Sequence, residues 1–233
     1  SDVYKRQYIY ANIERMMILE IDKPVSSQCF LPYNCKRLTW KGMAVSSPSN
    51  WAAYLFRFYN QLDAIFFSSN NLASLPWNFA ATMEYTFNDA HSALPMNFEV
   101  NIDNCSSLAN CWNASYAFSV VKLGNTGNVT NIQYAIYGSG VEVFEMDDAS
   151  GVTDTTNFSR PLASYNVLQR LILTGLTVGI NISYSPMTAA ALNDFFNSLG
   201  TADGAQTITI TACLGAATCD TSIATGKGYT IVN

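Results

Sequence analysis

The chain has 233 residues, 49% of them hydrophobic and 13% aromatic, which is enough to fill a sizeable core and excludes a disordered chain. Only 12% are charged, and the formal net charge of −5 comes without a basic cluster, which excludes a nucleic-acid partner. The longest apolar runs, such as Met16-Met17-Ile18-Leu19, fall far short of the ~20 residues of a membrane span, so no membrane insertion is expected.

From the start of the chain, residues 1–7 read like the translation of a transposon adapter used to prepare sequencing libraries. They are expected to be a processing scar from a metagenomic read set, with a missing N-terminal region that would serve for self-assembly. Cysteines fall in three pairs, Cys29/Cys35, Cys105/Cys111 and Cys213/Cys219, each separated by six positions. Residues six apart on a helix face different sides, so only a loop can bridge them; Cys213/Cys219, flanking Gly-Ala-Ala-Thr, is the candidate disulfide. The alternative for all three pairs is small buried thiols. There is no Cys-x-x-Cys and no histidine cluster, so neither a metal site nor a cofactor is expected.

An aromatic followed by Asn or Gly recurs at Tyr33-Asn34, Tyr59-Asn60, Phe87-Asn88, Trp112-Asn113, Tyr137-Gly138 and Tyr165-Asn166, at intervals of 26, 28, 25, 25 and 28. Apolar residues at helical spacing precede each pair, as Leu55, Met83, Leu108 and Ile132 do. A short β-prone run follows each: Leu38-Thr39-Trp40, Ala64 to Phe67, Leu94-Pro95-Met96, Phe118 to Val121, Val141 to Phe144, and Leu168 to Leu173. One unit therefore reads as a short helix, a turn and a strand. The Asn or Gly is expected in the left-handed conformation that ends a helix sharply. A unit of ~25 residues cannot bury its own apolar face, so units must stack with their strands in a parallel sheet.

Beyond residue 175 the pattern changes. Thr174 to Ile182 alternates as a strand, and Ser185-Pro186 offers an N-cap and a first helical proline for a helix over about 186–199. Leu192, Phe195, Phe196 and Leu199 share one face of that helix, and Gly200 closes it. Thr207 to Thr211 alternates as a strand, Ser222 to Gly226 suggests a helical turn, and Tyr229 to Val232 a last strand. The expected division is a repeat solenoid of about six units over 8–175 and a C-terminal cap over 176–233 packed on it.

Asn128-Val129-Thr130-Asn131-Ile132 through Tyr137-Gly138 and Val141, together with Tyr33-Asn34-Cys35-Lys36-Arg37-Leu38, resembles the BspA-like leucine-rich repeats of bacterial surface proteins and bacteriophage proteins. The segments Ala190 to Leu199, Thr207 to Ile210 and Gly215 to Thr225 are similar to the tail that ends many phage-encoded members. The resemblance covers roughly residues 28–233, with Pro95 and Gly140 standing where the family prefers other residues. It implies an α/β leucine-rich-type solenoid in an extracellular, cell-surface or virion location, and attachment to a host protein or glycan. It supplies no catalytic residues.

His91 is the only histidine, and it sits in the polar turn Asn88-Asp89-Ala90-His91-Ser92, where a solvated surface role is expected. Gly124-Asn125-Thr126-Gly127-Asn128 is a turn signal and not a phosphate loop. Glu142, Glu145, Asp147 and Asp148 form the one acidic cluster that a glycan-cleaving enzyme would use. Sequons occur at Asn104, Asn113, Asn128, Asn157 and Asn181 and are expected by chance in a chain this rich in Asn, Ser and Thr. With Leu38, Trp40, Val141 and Val143 pointing inward, the outward positions Thr39, Lys41, Glu142 and Phe144, with Ser119 and Arg170 at similar offsets, are the expected ligand contacts. The chain thus reads as a non-catalytic binding module. The alternatives are a polysaccharide-degrading enzyme or a structural subunit of a virion or extracellular fibre.

Overall fold

A computed structural model describes residues 52–53, 77–160, 162 and 166–233, with the backbone alone for 16–20, 37–41 and 93–94. The pairs Tyr33-Asn34 and Tyr59-Asn60, the run Ala64 to Phe67, Tyr165 and the cysteines Cys29 and Cys35 lie outside the described residues. Every described strand pair is parallel, and the architecture is a parallel-strand β-solenoid.

Two strands, β1 (Met16–Glu20) and β2 (Arg37–Lys41), pair with each other. A four-stranded sheet takes β3 (His91–Asn101), β4 (Tyr116–Gly124), β5 (Val143–Met146) and β6 (Arg170–Leu173) in chain order, one strand per coil. Successive registers, Val120 on Val143 and Val143 on Arg170, set neighbouring coils 23 and 27 residues apart, either side of the ~25-residue unit read from the sequence. Between β3 and β4 the register shifts from His91–Tyr116 to Met96–Phe118 and again to Asn97–Val120. Pro95 lies in the shifted stretch and has no N–H to give the ladder, so an irregularity there is what the chain can tolerate.

Helices were expected between the strands, and in the described units that preceding segment is instead a run of turns. In the first, Thr86, Asn88 and Ala90 donate backwards to Met83, Tyr85 and Phe87 carbonyls. The alternate donors Met83, Tyr85, Phe87 and Asp89 reach Ser107, Ala109, Cys111 and Asn113 in the next coil. Leu108, Asn110, Trp112 and Ala114 bond in turn to Asn131, Gln133, Ala135 and Tyr137. An α-helix would consume all these donors internally; here half of them tie neighbouring coils together. The cause is local. Oxygens of Thr82, Ser107, Asn131, Asp154 and Asn181 each accept the N–H two residues on, the side-chain turn that competes with a helix. Left-handed residues at Tyr85, Asn110 and Tyr134 then complete the departure from helical geometry.

The recurring Asn does not occupy the expected conformation either. Left-handed backbone falls one residue later in two coils, at Asp89 and Ala114, and at Gly138 in the third. Phe87 and Trp112 are fully buried anchors; in the third coil Ile136 takes that position, and Tyr137 lies half-buried under the Arg160 guanidinium at 5.7 Å. Asn166 is buried for a different reason: its amide donates to Ser183 O (2.9 Å) and its carbonyl accepts from Leu168 N (3.2 Å).

The core runs continuously along the stack. Phe87 meets Phe118 at 4.7 Å, Trp112 meets Phe144 at 5.9 Å and Phe144 meets Phe158 at 5.2 Å, mostly edge to face.

In the C-terminal segment, β7 (Ile180–Asn181), β8 (Gln206–Thr209) and β9 (Tyr229–Val232) form a third parallel sheet. It extends the column of bridges Ser107–Asn131–Asp154, to which Thr155 and Ser159 hydroxyls join it through Gly179 and Asn181 carbonyls. Two helices, α1 (Ala189–Ser198) and α2 (Ser222–Thr225), stand in the other column. α1 lies against β6 where a fifth strand would come, with Gly175 N donating to Ser198 O (2.8 Å). Leu192, Phe195 and Phe196 form its buried face, as their spacing predicts. Its N-cap is Thr188, whose hydroxyl accepts from Ala191 N, three residues after the expected Ser185. Gly200 does not end the helix in a left-handed turn; a Cβ there would meet Gly175 O at 2.6 Å, so close backbone approach requires the glycine. The strand expected over Thr174 to Ile182 is confined to Ile180–Asn181, because Gly175 turns with φ +78° before it.

Candidate functional site

The four-stranded sheet has more strands than the other sheets among the described residues, and one of its faces is turned away from the core. Its composition follows from strand alternation. Phe98, Val121, Phe144 and Leu171 point inward across the four strands, as do Leu123, Met146 and Leu173. The rows between them point out: Asn97–Val120–Val143–Arg170 and Glu99–Lys122–Glu145–Ile172.

The expected contact residues distribute unevenly over this face. Phe144 is 0% exposed and lies among the core aromatics, which corrects its assignment to the outer surface. The reason is a break in alternation. Val141 and Phe144 are both buried three residues apart, as are Phe118 with Val121 and Leu168 with Leu171. At this break both Gln169 N and Arg170 N donate to Glu142 O, a bulge-like arrangement that resets the phase before β6 begins. Ser119 and Glu142 share one column at the entry to the strands, where Ser119 is half-buried and Glu142 exposed. Arg170 does point outward. Its Nε donates to Glu145 Oε1 (2.8 Å) and its Nη1 to Asp194 Oδ2 of α1 (2.8 Å), bonds that raise its pKa above the ordinary guanidinium value. Thr39 and Lys41 belong to β2, and their side chains lie outside the described residues.

A groove of about 870 Å³ crosses the strands near their C-terminal ends. Glu99, Lys122, Glu145 and Ile172 line it as the outward row, and Asn101, Asp103, Asn125 and Asp147 line it from the turns that follow. Lys122 Nζ sits 4.0 Å from Glu145 Oε2. Glu99, Lys122, Asn101 and Asp103 were not anticipated. The signal for the first two was present in the spacing Phe118-x-x-Val121-x-Leu123, which puts Lys122 outside once the break is placed correctly.

The acidic cluster divides by function. Partial burial pushes the Asp147 carboxyl up, but hydrogen bonds from Asn125 N (2.8 Å) and from Thr126 N and Oγ1 outweigh it and hold the group below the usual carboxylate range. The Ser150 hydroxyl and N–H hold Asp148 low in the same sense. Both carboxylates clamp turns, and neither has the raised pKa that a general acid requires. Glu145 is engaged by Arg170, and Glu142 stands at the opposite end of β5, before its first residue.

His91 Nε2 lies 3.1 Å from Asp89 Oδ1, and its ring lies 5.2 Å from that of Tyr116, at the N-terminal end of the sheet and outside the groove. Cys213 and Cys219 carry free thiols. Cys213 Sγ donates to Ile182 O (3.2 Å) and lies 3.1 Å from Ser185 Oγ, while Cys219 Sγ turns to Ala216 O (3.5 Å). Burial pushes the Cys105 thiol up to about 12 and raises Cys111 as well. Among the described residues no group of three or more His, Cys, Asp or Glu is placed to hold a metal ion, and no helix is long and apolar enough to cross a membrane. No known protein family, curated protein or solved structure matches the chain.

Proposed function

We propose that this chain is a non-catalytic binding module of a cell surface or virion, and that its ligand is held in the groove across the four-stranded sheet. The observation that carries the reading is the groove itself: a regular outward face, furnished with charged and amide side chains on rigid strands and framed by turns that Asp147 and Asp148 lock. The finer classification proposed is a BspA-like leucine-rich solenoid closed by a cap over 176–233, on the residues that carry that resemblance. Attachment to a host protein or glycan accords with the sparse charge and the polar, amide-rich surface.

The test is binding of the purified chain to arrayed glycans and peptides, compared with Glu99→Lys. Retention of a ligand by the native chain and its loss in the variant is the expected result. Release of reducing ends from a glycan would instead establish the polysaccharide-degrading alternative, and equal retention by both proteins would remove the groove from the site.

A further inference from the structure

We infer that the groove receives a cationic, extended segment of a partner protein, with Lys or Arg side chains seated against Glu99 and Asp103. The inference rests on the groove being the binding site and names the chemistry that this surface selects.

The positive groups on the sheet face are already committed. Arg170 is bonded to Glu145 and to Asp194 at 2.8 Å each, and Lys122 leans toward Glu145 as well. The negative groups at the β3 end are matched only by neutral donors among the described residues. Asp103 Oδ1 accepts from Asn125 Nδ2 (2.8 Å), and Glu99 Oε1 takes a long hydrogen bond from Asn97 Nδ2 (3.5 Å). Four carboxylates and one ammonium line the groove, so its net charge is negative, and at the β3 end no cation among the described residues pairs with Glu99 or Asp103.

Shape points the same way. Four strands ~4.8 Å apart give a floor about 14 Å long, the length of four to five extended residues at ~3.3 Å each. Along the floor row Glu145 is answered by Lys122 and Arg170, so a cation carried by an extended segment is drawn to the Glu99 end. Neutral sugars are disfavoured because Trp77, the one aromatic among the described residues that line the groove, is 1% exposed and offers no open ring face.

The experiment is calorimetric titration of the full chain with a deca-lysine peptide, a Gly/Ser peptide of equal length and a set of neutral oligosaccharides. Proteins compared are the native chain, Glu99→Lys, Lys122→Gln and Asp203→Asn, the last altering an exposed carboxylate away from the groove. The expected result is binding of deca-lysine alone, weakened roughly tenfold by Glu99→Lys because a repulsion replaces an attraction. Lys122→Gln is expected to strengthen binding, and Asp203→Asn to leave it unchanged. Affinity should also fall as the Debye length shrinks from ~30 Å at 0.01 M salt to ~8 Å at 0.15 M. Deca-lysine binding insensitive to Glu99→Lys, or lowered equally by Asp203→Asn, overturns the inference as non-specific attraction. An oligosaccharide bound by the native chain and lost in both groove variants overturns the cationic partner but keeps the groove as the site. No binding in any arm removes both.

Discussion

Asp147 shows how a single side chain couples two coils. Its carboxylate accepts from the backbone N–H groups of Asn125 and Thr126, one coil earlier in the chain, and the Thr126 hydroxyl shares its one proton between Asp147 Oδ1 (2.8 Å) and Asp148 O (2.6 Å) while accepting from Asp148 N (2.9 Å). Because these bonds hold its folded pKa below the unfolded value, Asp147 contributes stability that is present above the unfolded pKa near ~3.9 and lost as pH falls through the folded one. Asp147→Asn replaces one acceptor by an amide N–H facing another N–H. It should cost about 1–2 kcal/mol at neutral pH. Denaturant melts of both proteins should differ at pH 7 and converge as pH falls through the lowered folded pKa of Asp147, where the native carboxylate is protonated as well. A gap independent of pH would show that the turn is held without the charge.

At the scale of the element, α1 does the work that a further strand would do elsewhere in the stack. It covers the edge of β6, whose unpaired backbone groups and apolar underside would otherwise meet water. Lys227 anchors its far end, donating to the carbonyls of Phe196 (3.0 Å), Asn197 (2.7 Å) and Leu199, groups that a helix leaves without intrahelical partners. The two sides of α1 are energetically unequal. Phe195 is fully buried, so Phe195→Ala should cost ~3–5 kcal/mol through lost burial and the cavity left behind. Asp194 is largely exposed, and its ion pair with Arg170 is of the class contributing ~0.2–1 kcal/mol. Thermal melts should therefore show a large drop for Phe195→Ala and a small one for Asp194→Ala. Comparable drops would mean that the helix is held by its charges and not by packing.

Through the described coils, two ladders of inter-coil hydrogen bonds run in parallel, one through the strands and one through the turns, around a core in which Phe87, Phe98, Trp112 and Phe118 cluster and Phe144 and Phe158 follow. Stability in such a stack is approximately a sum of neighbour terms, so its ends matter as much as its middle. Truncation after Gly175 would remove α1 from β6 and leave Gly175 N, which donates to Ser198 O (2.8 Å), without that partner. The truncated chain is expected to be insoluble or to lose its cooperative melt; a soluble, monomeric and cooperatively folding product would make the last 58 residues a separate domain.

The coil period, the parallel stacking, the buried face of α1 and the strand at Tyr229–Val232 were legible in the sequence, because each depends on local spacing of apolar residues. The turn ladder was not. Thr82, Ser107, Asn131 and Asp154 look like helix caps to any local reading, and only a neighbouring coil offering carbonyls to every second N–H makes turns the better solution. The candidate site failed for a related reason: strand alternation predicts a face only within one unbroken strand, and the bulge at Glu142, made by two donors from the next coil on one carbonyl, turned Phe144 into the core and left Glu145 outside. Periodicity is a property of the chain, whereas phase and the satisfaction of backbone donors belong to the stack.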